Sequence, residues 1–84
     1  MSEYTILGIY LSNRVKNAHE VQKVLTEFGC NIKTRLGLHP VNEGKCASFG
    51  LILLEMIGQE PEIKKLEDNL KAISGVEVKK MEFW

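Results

Sequence analysis

An excess of charge of either sign is missing: eleven Lys and Arg stand against eleven Asp and Glu in 84 residues, a formal net charge of zero. Nucleic-acid surfaces need a clustered basic surplus, so the balance argues against direct nucleic-acid contact. Long hydrophobic runs are missing as well. The longest, Leu51-Ile52-Leu53-Leu54, breaks at Glu55, far short of the roughly 18 residues of a membrane span. Met1-Ser2-Glu3 has neither the basic region nor the apolar stretch of a secretory signal, and the expected location is the cytoplasm. Cysteine and proline are scarce, with two of each, which excludes a disulfide scaffold. Cys30 and Cys46 are expected to open two antiparallel strands. They would then stand about 20–25 Å apart at ~3.3 Å per residue, beyond the reach of a disulfide. Cys30 reads as a small buried hydrophobe. No linker or low-complexity tract interrupts the chain, so residues 1–84 are expected to form a single domain. A domain this small buries only about 60–65% of its unfolded surface, which favours association with its own copies.

Periodicity is what the sequence does have. Tyr4 to Leu11 is rich in β-branched and aromatic residues and reads as a strand. Asn17, with Glu20 three residues on, has the spacing of a capping box. Ala18, Val21, Leu25 and Phe28 then recur at helical intervals. A helix is therefore expected from about Asn17 to Phe28, with Gly29 as a left-handed C′ residue. Asn31 to His39 alternates: Ile32, Thr34, Leu36 and Leu38 face one way, Lys33, Arg35 and His39 the other. Pro40, Asn42 and Gly44 mark a loop, and Ala47 to Ile57 reads as a long strand. Pro61 suits a first helical turn. Ile63, Leu66, Leu70 and Ile73 make a helical stripe that stops at Gly75, and Val76 to Phe83 is a last strand. The order β-α-β-β-α-β is that of a ferredoxin-like α+β sandwich: a four-stranded antiparallel sheet with two helices on one face. Right-handed crossovers put the first and third of those strands at its centre.

Leu7, Ile9, Leu11, Ile52, Leu54 and Met56 are expected under the helices. Ile6, Gly8, Tyr10, Phe49, Leu51 and Leu53 then share the opposite face, with Lys33, Arg35, Glu55, Glu77 and Lys79 at its rim. An apolar centre with a polar rim has the anatomy of an association surface. Ile6, Tyr10, Phe49, Leu51 and Leu53 are accordingly the expected interface of a homo-oligomer, a dimer or tetramer.

Catalytic sets are absent. Tyr10 and Phe49 occupy positions where RNA-recognition motifs stack bases, but the aromatic-glycine signature is missing. The loop Ser12 to Lys16 has no Cys-x-x-Cys, and Arg14 lacks the glycine-rich surroundings of a phosphate cradle. His19-Glu20 is followed by Lys23 where a zinc protease has its second histidine. No enzymatic activity and no cofactor are expected. Asn13, Arg14, Lys16 and Asn17 gather two cations and two amides beside a helix N-terminus, an arrangement able to hold an anionic effector. His39 and Cys46 flank the bent loop and supply two soft metal ligands. Two ligands fall short of the usual four of a structural site, so no metal is expected, with a metal-responsive pair at a subunit interface as the alternative.

Glu27-Phe28-Gly29-Cys30-Asn31-Ile32 resembles the helix-Gly-x-Asn-Ile junction of ACT domains, small ligand-sensing regulatory modules. Nearly the whole chain is similar to the iron-only hydrogenase system regulators, through Tyr4 to Tyr10, Lys33-Thr-Arg-Leu-Gly-Leu-His39, the Phe49 to Gly58 strand and Ile73 to Lys79. The resemblance implies an ACT-like ferredoxin fold and a regulatory role exercised on a small effector or a protein partner. The loop Asn13 to Asn17 lacks the glycine that amino-acid-binding ACT domains carry there. A more distant likeness joins His39 and Cys46 to ligand positions in the C-terminal domain of nickel-responsive repressors.

Overall fold

The structure, a computed structural model, describes residues 3–38, 41–42, 45–46 and 50–84; of Arg14, Val15, Val41, Asn42, Lys45 and Cys46 it describes the backbone. The elements are β1 (Tyr4–Leu11), α1 (Arg14–Glu27), a 3₁₀ turn (Gly29–Asn31), β2 (Ile32–Leu38), β3 (Val41–Asn42), β4 (Lys45–Cys46), β5 (Gly50–Met56), α2 (Glu60–Lys71) and β6 (Val76–Phe83). β2, β5, β1 and β6 form one antiparallel sheet in that order, and β3 pairs with β4 in a separate two-residue ladder. This is the expected sandwich, with β1 and β5 central. The expected loop over residues 39–45 contains strand β3 and the start of β4. The long strand runs from Gly50 as far as it is described.

The core fills the space between the sheet and its two helices. Leu7, Ile9 and Leu11 of β1, Leu54 and Met56 of β5 and Val78 of β6 meet Val21 and Leu25 of α1 and Ile63, Leu66 and Leu70 of α2. Period two on the strands and 3.6 on the helices put these residues on facing surfaces. Ile52 packs at the edge of this cluster.

Helix α1 starts three residues earlier than expected. Asn13 is its N-cap, accepting the Lys16 N–H at 3.0 Å, and both asparagines lie in sequence contexts suited to capping. Asn17 has a different task. It is 5% exposed, its amide donates to the Ser74 carbonyl at 2.9 Å, and its Oδ1 accepts the Asn13 N–H at 3.3 Å. Gly29 also departs from expectation. The chain leaves α1 through a 3₁₀ turn, with positive φ at Gly58 and Gly75 and not at Gly29. Cys30 lies exposed in that turn, not buried.

Candidate functional site

One irregularity in β2 decides what each face of the sheet presents. Ile32 pairs with Met56 and Thr34 with Glu55, so Lys33 is an extra residue in the ladder, a β-bulge. A bulge sets two residues against one and reverses the facing of the residues beyond it. Thr34 Oγ1 donates to Glu55 Oε1 at 3.0 Å, and Lys33 Nζ stands 3.9 Å from Glu55 Oε2. Ile32 therefore packs on the core side, whereas Thr34, Leu36 and Leu38 face away from the helices. Arg35, expected at the rim of the open face, is opposite Leu54 on the helix side. Its Nη2 donates to Gln22 Oε1 of α1 at 2.6 Å.

The open face is consequently larger than the sequence suggested. Leu36 lies beside Leu53, and Leu38 beside Leu51; across β1, Ile6 adjoins Met81 and Tyr4 adjoins Phe83. Leu36 is 52% exposed, Met81 54% and Phe83 51%; Tyr4, Tyr10, Leu38 and Leu51 are exposed too, and Ile6 and Leu53 half-buried. Tyr4, Leu36, Leu38, Met81 and Phe83 were not among the expected interface residues. The alternation of β6, Glu77-Lys79-Met81-Phe83, carried the signal for two of them. Phe49 lies outside the described residues. Charges of both signs edge the face: Lys33 and Glu55 on one side, Glu77 and Lys79 on the other.

The expected effector loop holds the start of α1 in place. Ser12 N–H and Oγ both donate to the Gly75 carbonyl at 2.9 Å, and Asn17 reaches Ser74 in the same connection. The structure brings Asn13 and Asn17 together in their own hydrogen bonds, with Lys16 exposed beside them; the Arg14 side chain lies outside the described residues.

On the helix side, a cleft of about 610 Å³ opens between α1 and the β2–β5 edge, with Arg35, Gln22 and His19 among its lining residues. Farther along that face, Glu67 of α2 is buried between two lysines: Lys71 Nζ lies 2.9 Å from Oε2 and Lys80 Nζ 3.5 Å from Oε1. Burial pushes the Glu67 carboxyl up, but the Lys71 hydrogen bond and the charges of Lys80 and Lys71 outweigh it and hold the group below its ordinary value.

Among the described residues no group of three or more His, Cys, Asp or Glu is placed to hold a metal ion. His39 and the Cys46 side chain lie outside the described residues. No helix among them is long and apolar enough to cross a membrane.

Residues 3–80 match the family described as "Iron-only hydrogenase system regulator, putative", TM1266-like. Among solved structures, the chain is similar to the uncharacterized protein TM1266 of Thermotoga maritima. The two are 30% identical over all of both chains, with a TM-score of 0.82. The ACT domain of the GTP pyrophosphokinase of Chlorobium tepidum is 17% identical over 96% of this chain and all of that one, with a TM-score of 0.66. CPII, a nitrogen regulatory PII-like protein of Thiomonas intermedia K12 bound to ADP, AMP and bicarbonate, is 16% identical over 96% of this chain and 92% of its own, with a TM-score of 0.59. These last two share the fold. No curated protein matches the chain.

Proposed function

The chain belongs to the iron-only hydrogenase system regulator family, and from that premise we propose that it is a non-enzymatic regulatory module working as a homo-oligomer. Its copies meet through the open sheet face, and an effector or protein partner acts on that assembly. The observation that carries the reading is the run of large apolar side chains across all four strands of a face that no described element covers. Such a face left in water is an aggregation liability, whereas paired with a copy it becomes the core of an interface. Each large apolar side chain that goes from half-exposed to buried contributes about 1 kcal/mol.

A second copy is the occupant that the charges favour. Each flank of the face carries one cation and one anion, Lys33 with Glu55 and Lys79 with Glu77, so the face has no net charge with which to repel a second copy of itself. The family and the shared ACT-like fold support regulation in place of catalysis. Light scattering at micromolar concentration tests the assembly: a mass of two or more chains is expected, and a monomer would overturn the reading.

A further inference from the structure

The bulge that turns Leu36 outward also turns Arg35 inward, beside two glycines on the helix side of the sheet. The helix-side positions that come after Arg35 in β2 and before Ile52 in β5 are Gly37 and Gly50. Both line the cleft between the sheet and α1. A Cβ built on Gly37 meets nothing within 4 Å among the described residues, so the helix side of β2 is open at this position. Val21 and Ile52 supply apolar wall, and Gln22, Arg35 and His19 supply the polar groups. The volume of about 610 Å³ suits a small molecule.

Arg35 is the charged group of this cleft. It donates to the neutral Gln22 amide, and among the described residues it pairs with no carboxylate. Gln22 is itself oriented from behind, since its Nε2 donates to Thr26 Oγ1 at 3.3 Å. A guanidinium held at the rim of an apolar cleft suits a planar oxyanion, which it can grip with two parallel N–H donors. Among the described residues the lining contains no Asp or Glu, so an ammonium group on the ligand would find no carboxylate partner among them.

We propose that the α1–β2 cleft binds a small monocarboxylate with a compact apolar body and no ammonium group, its carboxylate on Arg35 and its body over Gly37. The effector site is then this cleft and not the loop at the start of α1. Arg35 binds the ligand and Gln22 positions Arg35. Calling the ligand an effector rests on the regulatory reading above; the binding does not.

Amide chemical shifts of the full chain, titrated with sodium benzoate and separately with sodium hexanoate, test the site. At least one probe is expected to give saturable shifts at Ala18, Val21, Gln22 and Gly37 at concentrations on the order of 1 mM. Benzamide, the neutral isostere of benzoate, should bind at least tenfold more weakly. Arg35→Gln should weaken carboxylate binding at least tenfold. Gly37→Leu, which puts a large side chain into the cleft at a position where a Cβ meets nothing within 4 Å among the described residues, should weaken it at least tenfold while the rest of the spectrum stays native. Absence of saturation with both probes would overturn the proposal. So would equal binding by Arg35→Gln and Gly37→Leu, or shifts centred on Lys16. Self-association is read separately, from the mass, so either claim can fail without the other.

Discussion

The buried side-chain amide of Asn17 donates to the carbonyl of Ser74 at 2.9 Å, fastening the start of α1 to the turn after α2. Ser12 completes the fastening through the Gly75 carbonyl. Gly75 has a φ of +83°, and a Cβ there would come within 2.9 Å of Ser12 Oγ and 3.1 Å of Asn17 Oδ1. Gly75→Ala should therefore cost about 1–3 kcal/mol, and Asn17→Ala a comparable amount through the hydrogen bonds it leaves unmade. Urea unfolding of the two variants checks both values; a loss below about 0.5 kcal/mol in either would contradict this account of the junction.

Two other glycines separate backbone need from mere presence. Gly58 has a φ of +103°, and a Cβ there would run into the Asn31 amide, which donates to the Ile57 carbonyl. Gly29 sits in a 3₁₀ turn, where a Cβ would meet nothing within 4 Å among the described residues. Gly58→Ala should destabilise by about 1–3 kcal/mol, whereas Gly29→Ala should be neutral or stabilising by up to about 1 kcal/mol. Thermal melts in parallel test the contrast, and a larger loss at position 29 than at 58 would contradict it.

Much of this arrangement is legible in the sequence alone. The strand β1 and the stripe of α2 are periodic enough that their faces, and the centre of the sheet, emerge from pattern. The bulge is not legible. One extra residue changes neither composition nor alternation, so Ile32 to Leu38 reads as a single-faced run although its phase reverses at Lys33. That reversal hid Leu36 and Leu38 from the open face and Arg35 from the cleft. The start of α1 is ambiguous in the sequence for another reason. Asn13 and Asn17 are both good caps by chemistry, and what distinguishes them is the burial of Asn17 against Ser74, a contact 57 residues away along the chain.

Acid should loosen the fold through Glu67. Its carboxyl is held below the ordinary 4.5 by Lys71 and Lys80 against the opposing effect of burial. The stabilisation is full above about pH 4.5 and is lost as pH falls through the lower value reached in the folded protein. The stability of Glu67→Gln should depend less on pH than that of the wild type between pH 6 and about 3. Urea midpoints across that range measure the difference; parallel curves would show that Glu67 plays no part in it.

Protein purified without added metal should carry no stoichiometric transition metal. His39 and Cys46 supply at most two ligands per chain, short of the four that structural sites usually need. Elemental analysis decides the matter. One nickel, zinc or iron per chain, lost in both His39→Ala and Cys46→Ser, would contradict the expectation and favour a metal-responsive module.

If copies of the chain meet through the open sheet face, charges placed on that face must separate them. Sedimentation velocity of the wild type beside the Leu36→Asp, Met81→Asp double variant tests it most directly, because both side chains are about half exposed and outside the core. A dimer or larger assembly is expected for the wild type and a monomer with an unchanged circular dichroism spectrum for the variant. A variant that keeps both the native spectrum and the wild-type mass would contradict it.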